Sequence, residues 1–253
     1  ALKCQGWKSQ KTDGHDQAYY RNYMHEIPPM QHILRGTVLD IHHNILPVCN
    51  ANKIDIDLLR SGALPLSESD THSYVLSPAA MMLHSAVHLF HEGELEQGLR
   101  GLSDLDILFH HFEKSETNFS QQLVDLSEKT NQQQSLFFTW RYLTKIFNKK
   151  LPKVAQTFII SYQHQITNLS TIDFIYTNLF TAHHGTTASW RFSLAVQLVY
   201  WRGHLLRMPL RLLIPHLLKK SWLRLTGLIK KDPEVFRKAD ALDPRFHHIN
   251  KDE

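Results

Sequence analysis

The sequence predicts an α+β protein that is mostly α, with a short antiparallel hairpin near its start and a long helical part after it. Three observations carry this. Only 10 glycines and few Val-rich runs leave little room for an extensive sheet. Strand-like runs bounded by Pro and Gly are confined to residues 18–46. From residue 117 onward every segment reads as helix. The 253 residues suffice for one large domain or two small ones. We divide them into a partial α/β core over 1–75, a helical domain over 76–200 and a basic amphipathic helical tail over 201–253.

Composition narrows the function classes. No apolar run is long enough for a transmembrane helix, and no signal-peptide pattern opens the chain. The two cysteines, Cys4 and Cys49, have no paired spacing, which argues against a disulfide or Cys-zinc framework and for a reducing compartment. The expected location is the cytoplasm. Residues 201–238 hold ten Lys/Arg against two acids, which leaves 18 bases against 22 acids elsewhere. Leucines and tryptophans interleave with those bases. The segment is therefore a candidate for docking peripherally on a membrane or on an acidic partner, although the pattern favours a terminal helix that packs its Leu face on the body and leaves its basic side solvated. Nothing points to a specific nucleic acid.

Residues 1–7 read as a helix end running into a Gly stop at Gly6, and residues 8–18 are polar and turn-rich. Residues 18–27 read as a strand that ends at Pro28-Pro29. Met30 to Leu34 stays extended, Arg35-Gly36 makes a turn, and a second strand runs over 37–46 to Pro47. Period-two alternation puts Asp40 and His42 on one face of that strand, well inside the sheet. An acid and an imidazole on one strand face suit a metal or a reacting hydroxyl. A half-exposed edge strand with polar residues facing water is the plainer alternative.

Residues 48–76 are irregular in this reading. Within them Asp55-Ile56-Asp57 has the form of a two-metal carboxylate pair, yet Asp55 is better read as the cap of a short helix ended by Ser61-Gly62. Ser77-Pro78 starts a helix over 79–91 whose Met82, Ala86, Leu89 and Phe90 share one side. His84 and His88 are one turn apart on it, without the intervening Glu of a zinc-protease helix. A histidine-metal hydrolase using His84, His88 and His91 is therefore a third, weaker reading. A helix over 99–109 follows, with Leu102, Leu105, Leu108 and Phe109 as its stripe and Arg100 and Asp104 one turn apart on another face. Further helices are expected over 118–129, 132–148, 152–170, 172–183 and 188–206, with His183-His184-Gly185 as a helix end.

Three of these pieces, in this order, resemble the uncharacterised nucleotidyltransferase family of bacteria, a branch of the DNA polymerase β-like superfamily. They are the strand Val38-Leu39-Asp40-Ile41-His42, the Leu76-Ser77-Pro78 start of a helix carrying His88, and the helix Leu99-Arg100-Gly101-Leu102-Ser103-Asp104-Leu105. The resemblance covers roughly residues 1–200. It implies a nucleotidyltransferase sheet, here partial, followed by helices. It also implies transfer of a nucleoside monophosphate from an NTP to an acceptor, usually a hydroxyl, with two Mg²⁺ held by an Asp-x-Asp after a Gly-Ser turn and by a third carboxylate. Asp40 matches the third carboxylate and so one metal. His42 would orient the acceptor or a phosphate, and His88, Arg100 and Asp104 would line the nucleotide or acceptor pocket. The Gly-Ser and Asp-x-Asp motifs are not found in residues 1–36, and no Gly-Ser occurs in the chain. Asp55-Ile56-Asp57 follows Asp40 and so stands on the wrong side in chain order. The expectation is an N-terminally incomplete domain that does not turn over as it stands, or a degenerate family member. The competing expectation is a non-catalytic helical binding or scaffold protein that docks through its basic tail.

Overall fold

The computed structural model describes residues 2–10, 22–50, 52–67, 70–91, 98–182 and 189–207, with the single positions Gln17, Tyr20, Leu95, Leu210, Ile214, Leu218 and Trp222. A 3₁₀ turn, Leu2–Gln5, ends at Gly6, whose φ of 86° suits a residue without a Cβ. The chain then enters β1 (Trp7–Ser9), which pairs antiparallel with β2 (Met30–His32). β2 pairs antiparallel with β3 (Val38–Leu39), giving the order β1-β2-β3. The β2–β3 turn is the expected one. Gly36 has φ 68° and donates its N–H to the His32 carbonyl, and buried His32 accepts the Leu34 and Arg35 N–H groups on Nδ1.

The hairpin is more broken than its sequence suggests. Residues 22–23 and Tyr20 are helical, where a strand over 18–27 was expected, and β3 spans two residues of the expected 37–46. Pairing resumes beyond β3 as a single bridge, Glu26↔His42. From Met30↔Leu39 to Glu26↔His42 the first strand advances four residues and the second three, so a bulge lies between them. Pro28 and Pro29 occupy it. Neither has an N–H to give the ladder, which explains the gap. Asp40 lies across from this gap, just past the end of an edge strand, and is exposed rather than well inside the sheet.

Asp55 is the N-cap of α1 (Ile56–Arg60), accepting the Asp57 N–H at 3.0 Å, and Ser61 is its C-cap. That settles Asp55-x-Asp57 as a helix start. The stretch expected to be irregular also contains a second hairpin, β4 (Leu64–Ser67) with β5 (Asp70–Val75). Leu64, Leu66, Tyr74 and Val75 on it are exposed.

The body is helical. α2 (Pro78–His91) begins at Ser77, whose hydroxyl accepts the Ala80 N–H, and packs on α3 (Gly98–Ser115), α4 (Phe119–Lys129), α5 (Gln133–Phe147) and α8 (Trp190–Arg207). Its expected stripe of Met82, Ala86, Leu89 and Phe90 is buried. α6 (Lys153–Tyr162) packs on α5, and α7 (Leu169–Leu179) packs on α5 and α8. The helix expected over 152–170 thus ends early, and the one expected over 172–183 starts at Leu169. A 3₁₀ turn, Gln163–Gln165, and Asn168 at φ 56° separate α6 from α7. Asn118, Asn131 and Asn148 take the same left-handed conformation at other helix boundaries, where the short amide side chain tolerates a positive φ. His183-His184-Gly185 lies outside the described residues.

One hydrophobic cluster runs from Ile45, Leu46, Ile54 and Leu59 through the helices to Val199. Its densest part is aromatic. Phe90 stands 5.2–6.1 Å, ring to ring, from Phe138, Tyr142, Tyr176 and Phe180. Arg202 of α8 reaches into this group. Its guanidinium donates to the Phe90 carbonyl at 2.6 Å and to the Tyr176 hydroxyl at 3.0 Å, and lies 5.8 Å from the Phe138 and Tyr176 rings. It thus caps the C-terminal end of α2, where unpaired carbonyls and the helix dipole favour a cation. Arg202 is therefore a packing residue, though its sequence neighbourhood reads as a solvated basic tail. α8 runs through residues 200–201 without a break.

Candidate functional site

The histidines and acids singled out by sequence converge only in part. The hairpin ladder beyond β3 is held by backbone bonds: Ile27 N–H to the Ile41 carbonyl at 2.9 Å, and His43 and Asn44 N–H to the His25 carbonyl at 2.9 and 3.1 Å. This pairing sets Glu26 beside His42, with Glu26 Oε2 3.2 Å from His42 Nε2. A carboxylate can only accept, so a neutral His42 facing it carries its proton on Nε2 and leaves Nδ1 free to accept. The His25 ring lies 5.0 Å from that of His42. Among the described residues, His25, Glu26 and His42 form a group whose ligand atoms all lie within 4.8 Å of one another.

α2 carries two further histidines. His84 and His88 stack one turn apart with rings 6.3 Å apart. Burial holds the His84 imidazole below its usual range, and the neighbouring charges of His88 and then His42 push it the same way. His84 is thus within electrostatic reach of the hairpin. His88 is exposed on the same helix, and Arg100 and Asp104 are exposed on α3, which packs against α2. The link between the hairpin and α2 is thus the charge of His42 felt at His84.

His91 does not join the other histidines. It is buried, its Nδ1 is 3.1 Å from the Val87 carbonyl of its own helix, and its Nε2 is 3.5 Å from Asn52. That bonding leaves the set His84, His88 and His91 without the shape of a metal site. Asp40 does not join the three-donor group either. Sequence reasoning missed His25 and Glu26, which lie in a segment read as an ordinary strand. The only signal that could have found them is the hairpin register, which the prolines shift by one residue.

With the fold and the site in view, a family comparison fixes the class. A model matching residues 1–148 describes nucleotidyltransferases, and all three motifs around Asp40, His88 and Arg100–Asp104 fall inside that span. The chain belongs to the uncharacterised nucleotidyltransferase family. No curated protein and no solved structure matches it.

Proposed function

We propose that the chain serves transfer of a nucleoside monophosphate from an NTP to a hydroxyl acceptor, at the edge formed by Asp40, His42 and the His84–His88 side of α2. The observation that supports this most is the meeting of two separate family motifs: His42 of the hairpin and His84–His88 of α2 share one electrostatic neighbourhood. Asp40, two residues before His42, offers an exposed carboxylate. That carboxylate can accept a hydrogen bond from an acceptor hydroxyl and orient it. His42, fixed by Glu26, orients the acceptor or a phosphate oxygen. His88, Arg100 and Asp104 line the nucleotide or acceptor pocket, Arg100 as the phosphate-binding cation.

Mg²⁺ prefers an all-oxygen shell. The hairpin offers Asp40 as its exposed oxygen donor, while the Glu26 carboxylate faces His42. These residues fit one carboxylate contact to Mg²⁺, not a two-metal set. Bound there, the ion would neutralise phosphate charge and lower the pKa of a nearby hydroxyl. With one of three carboxylates in its 253 residues, this chain is not expected to turn over by itself. The test is transfer of label from an α-labelled NTP by the gene product that carries this chain, compared with its Asp40→Asn form. A loss of about 100-fold or more is expected when a group acting at the reacting centre is removed. Equal activity of the two forms removes Asp40 from the site.

A second reading, docking on an anionic membrane surface, is favoured by α8. Trp190, Leu194, Trp201 and Leu205 are all exposed and fall within one helical stripe. Leu210, Ile214, Leu218 and Trp222 are exposed beyond it, within the segment that carries the ten bases. Among the described residues no helix is long and apolar enough to cross a membrane, so the contact would lie along the surface. The chain should sediment with vesicles containing phosphatidylserine and not with purely zwitterionic ones. Trp190→Ser together with Trp201→Ser should release it, and unchanged sedimentation of that double variant would overturn the reading.

A further inference from the structure

We propose that His25, Glu26 and His42 form a binding site for a divalent transition-metal ion of the zinc type, distinct from the Mg²⁺ contact at Asp40. The donor set argues for it first. Two imidazoles and one carboxylate suit Zn²⁺ or its neighbours, whereas Mg²⁺ calls for oxygen. The geometry argues second. Zinc bonds of roughly 2.0–2.1 Å at the tetrahedral angle put two ligand atoms about 3.3 Å apart. His42 Nε2 and Glu26 Oε2 already stand at 3.2 Å, and the third donor atom lies within 4.8 Å of both, so closing on an ion needs side-chain movement only. The backbone argues third. The Glu26↔His42 bridge and the His43 N–H bond to the His25 carbonyl fix the three Cα positions before any ion arrives. The bulge at Pro28-Pro29 shifts the register by one residue and so sets Glu26 opposite His42.

In the metal-free chain the 3.2 Å contact sets Nε2 and Oε2 face to face. Binding places the cation between these atoms: neutral His42 releases its Nε2 hydrogen to solvent and takes one up on Nδ1, so the ring stays neutral, and Nε2 and Oε2 turn their lone pairs to the ion. His42 is exposed, so the fourth position faces solvent, as in zinc sites that keep a water or a substrate atom. The inference stands apart from the nucleotidyl-transfer reading, and its test contains no nucleotide.

The experiment uses the whole 253-residue chain with Cys4→Ser, which removes an exposed thiol that could take up metal. After chelator treatment it is titrated with Co²⁺ and then Zn²⁺. One equivalent of Co²⁺ should give the visible absorption of a tetrahedral site, and one equivalent of Zn²⁺ should abolish it. His42→Gln, at an exposed position away from the core, should weaken Zn²⁺ binding more than about 10-fold, the least expected even for partners one layer from a metal. Glu26→Gln, close in shape to the original, should do the same. His110→Gln with His111→Gln, exposed on α3 and outside the three-donor group, should change nothing. The proposal falls if Co²⁺ shows only octahedral, multi-equivalent binding. It falls equally if His42→Gln, still folded by circular dichroism, binds Zn²⁺ as the parent does.

Discussion

Phe90→Ala should lower folding stability by about 4 kcal/mol, the scale of large-to-small changes in a closed core. The Phe90 ring is 1% exposed and has four aromatic rings about it, all themselves fully buried. These neighbours come from α5, α7 and the residue after α7, so no single helix can move in to fill the space. The edge-to-face contacts with Tyr176 and Phe180 are lost along with the buried area. The backbone carbonyl of residue 90 remains, so the Arg202 cap survives and the loss reports on the ring alone. Urea denaturation followed by circular dichroism measures it. A loss under about 1 kcal/mol, the range of a conservative core swap, would show that the aromatic group repacks.

Asp173→Ala comes next, at about 3 kcal/mol at neutral pH, the lower end for breaking a buried ion pair because these side chains keep some solvent contact. Asp173 accepts a two-pronged pair from Arg141 at 2.8 and 2.6 Å, a third bond from Lys145 at 2.6 Å, and a fourth from the Tyr142 hydroxyl at 3.2 Å. It ties α7 to α5. Removing it leaves the Arg141 guanidinium half-buried without its carboxylate. Burial pushes the Asp173 carboxyl up, but the hydrogen bonds from Arg141 and Lys145 and their charges outweigh this and hold it below its usual range. A carboxyl depressed by folding stabilises the native state above its unfolded pKa, and that contribution is lost as pH falls through the folded value. The gap between parent and variant should therefore be full at pH 7 and shrink below about pH 4. A gap that stays constant down to pH 3 would remove the ion pair as its cause.

What the sequence made legible was local. Ser77-Pro78 started a helix where a hydroxyl acceptor and a fixed φ demand one, Asp55 capped α1, and Gly36 took the turn's positive φ. These features depend on residues a few positions apart. The asparagines that end or begin helices were equally local, but Asn at a boundary is ambiguous until its φ is known. The β4–β5 hairpin stayed hidden because its exposed Leu64, Leu66 and Tyr74 lack the one-sided burial from which alternation is read. Arg202 stayed hidden because its partner is a carbonyl 112 residues away. The candidate site divided in the same way. Asp40 and His42 were visible as a pair, while Glu26 and His25 depend on a register that two prolines displace.

Those prolines also govern how the molecule comes apart. Amide exchange depends on the free energy needed to open each hydrogen bond, and a ladder interrupted by two residues without N–H groups opens in short pieces. The bonds of residues 25–27 with 41–44 have few neighbours to share that cost, whereas α2 is enclosed by α3, α4, α5 and α8. The amides beside Asp40 and His42 should therefore exchange with solvent long before those of α2. Warming would dismantle the hairpin half of the site while the aromatic body still holds its shape.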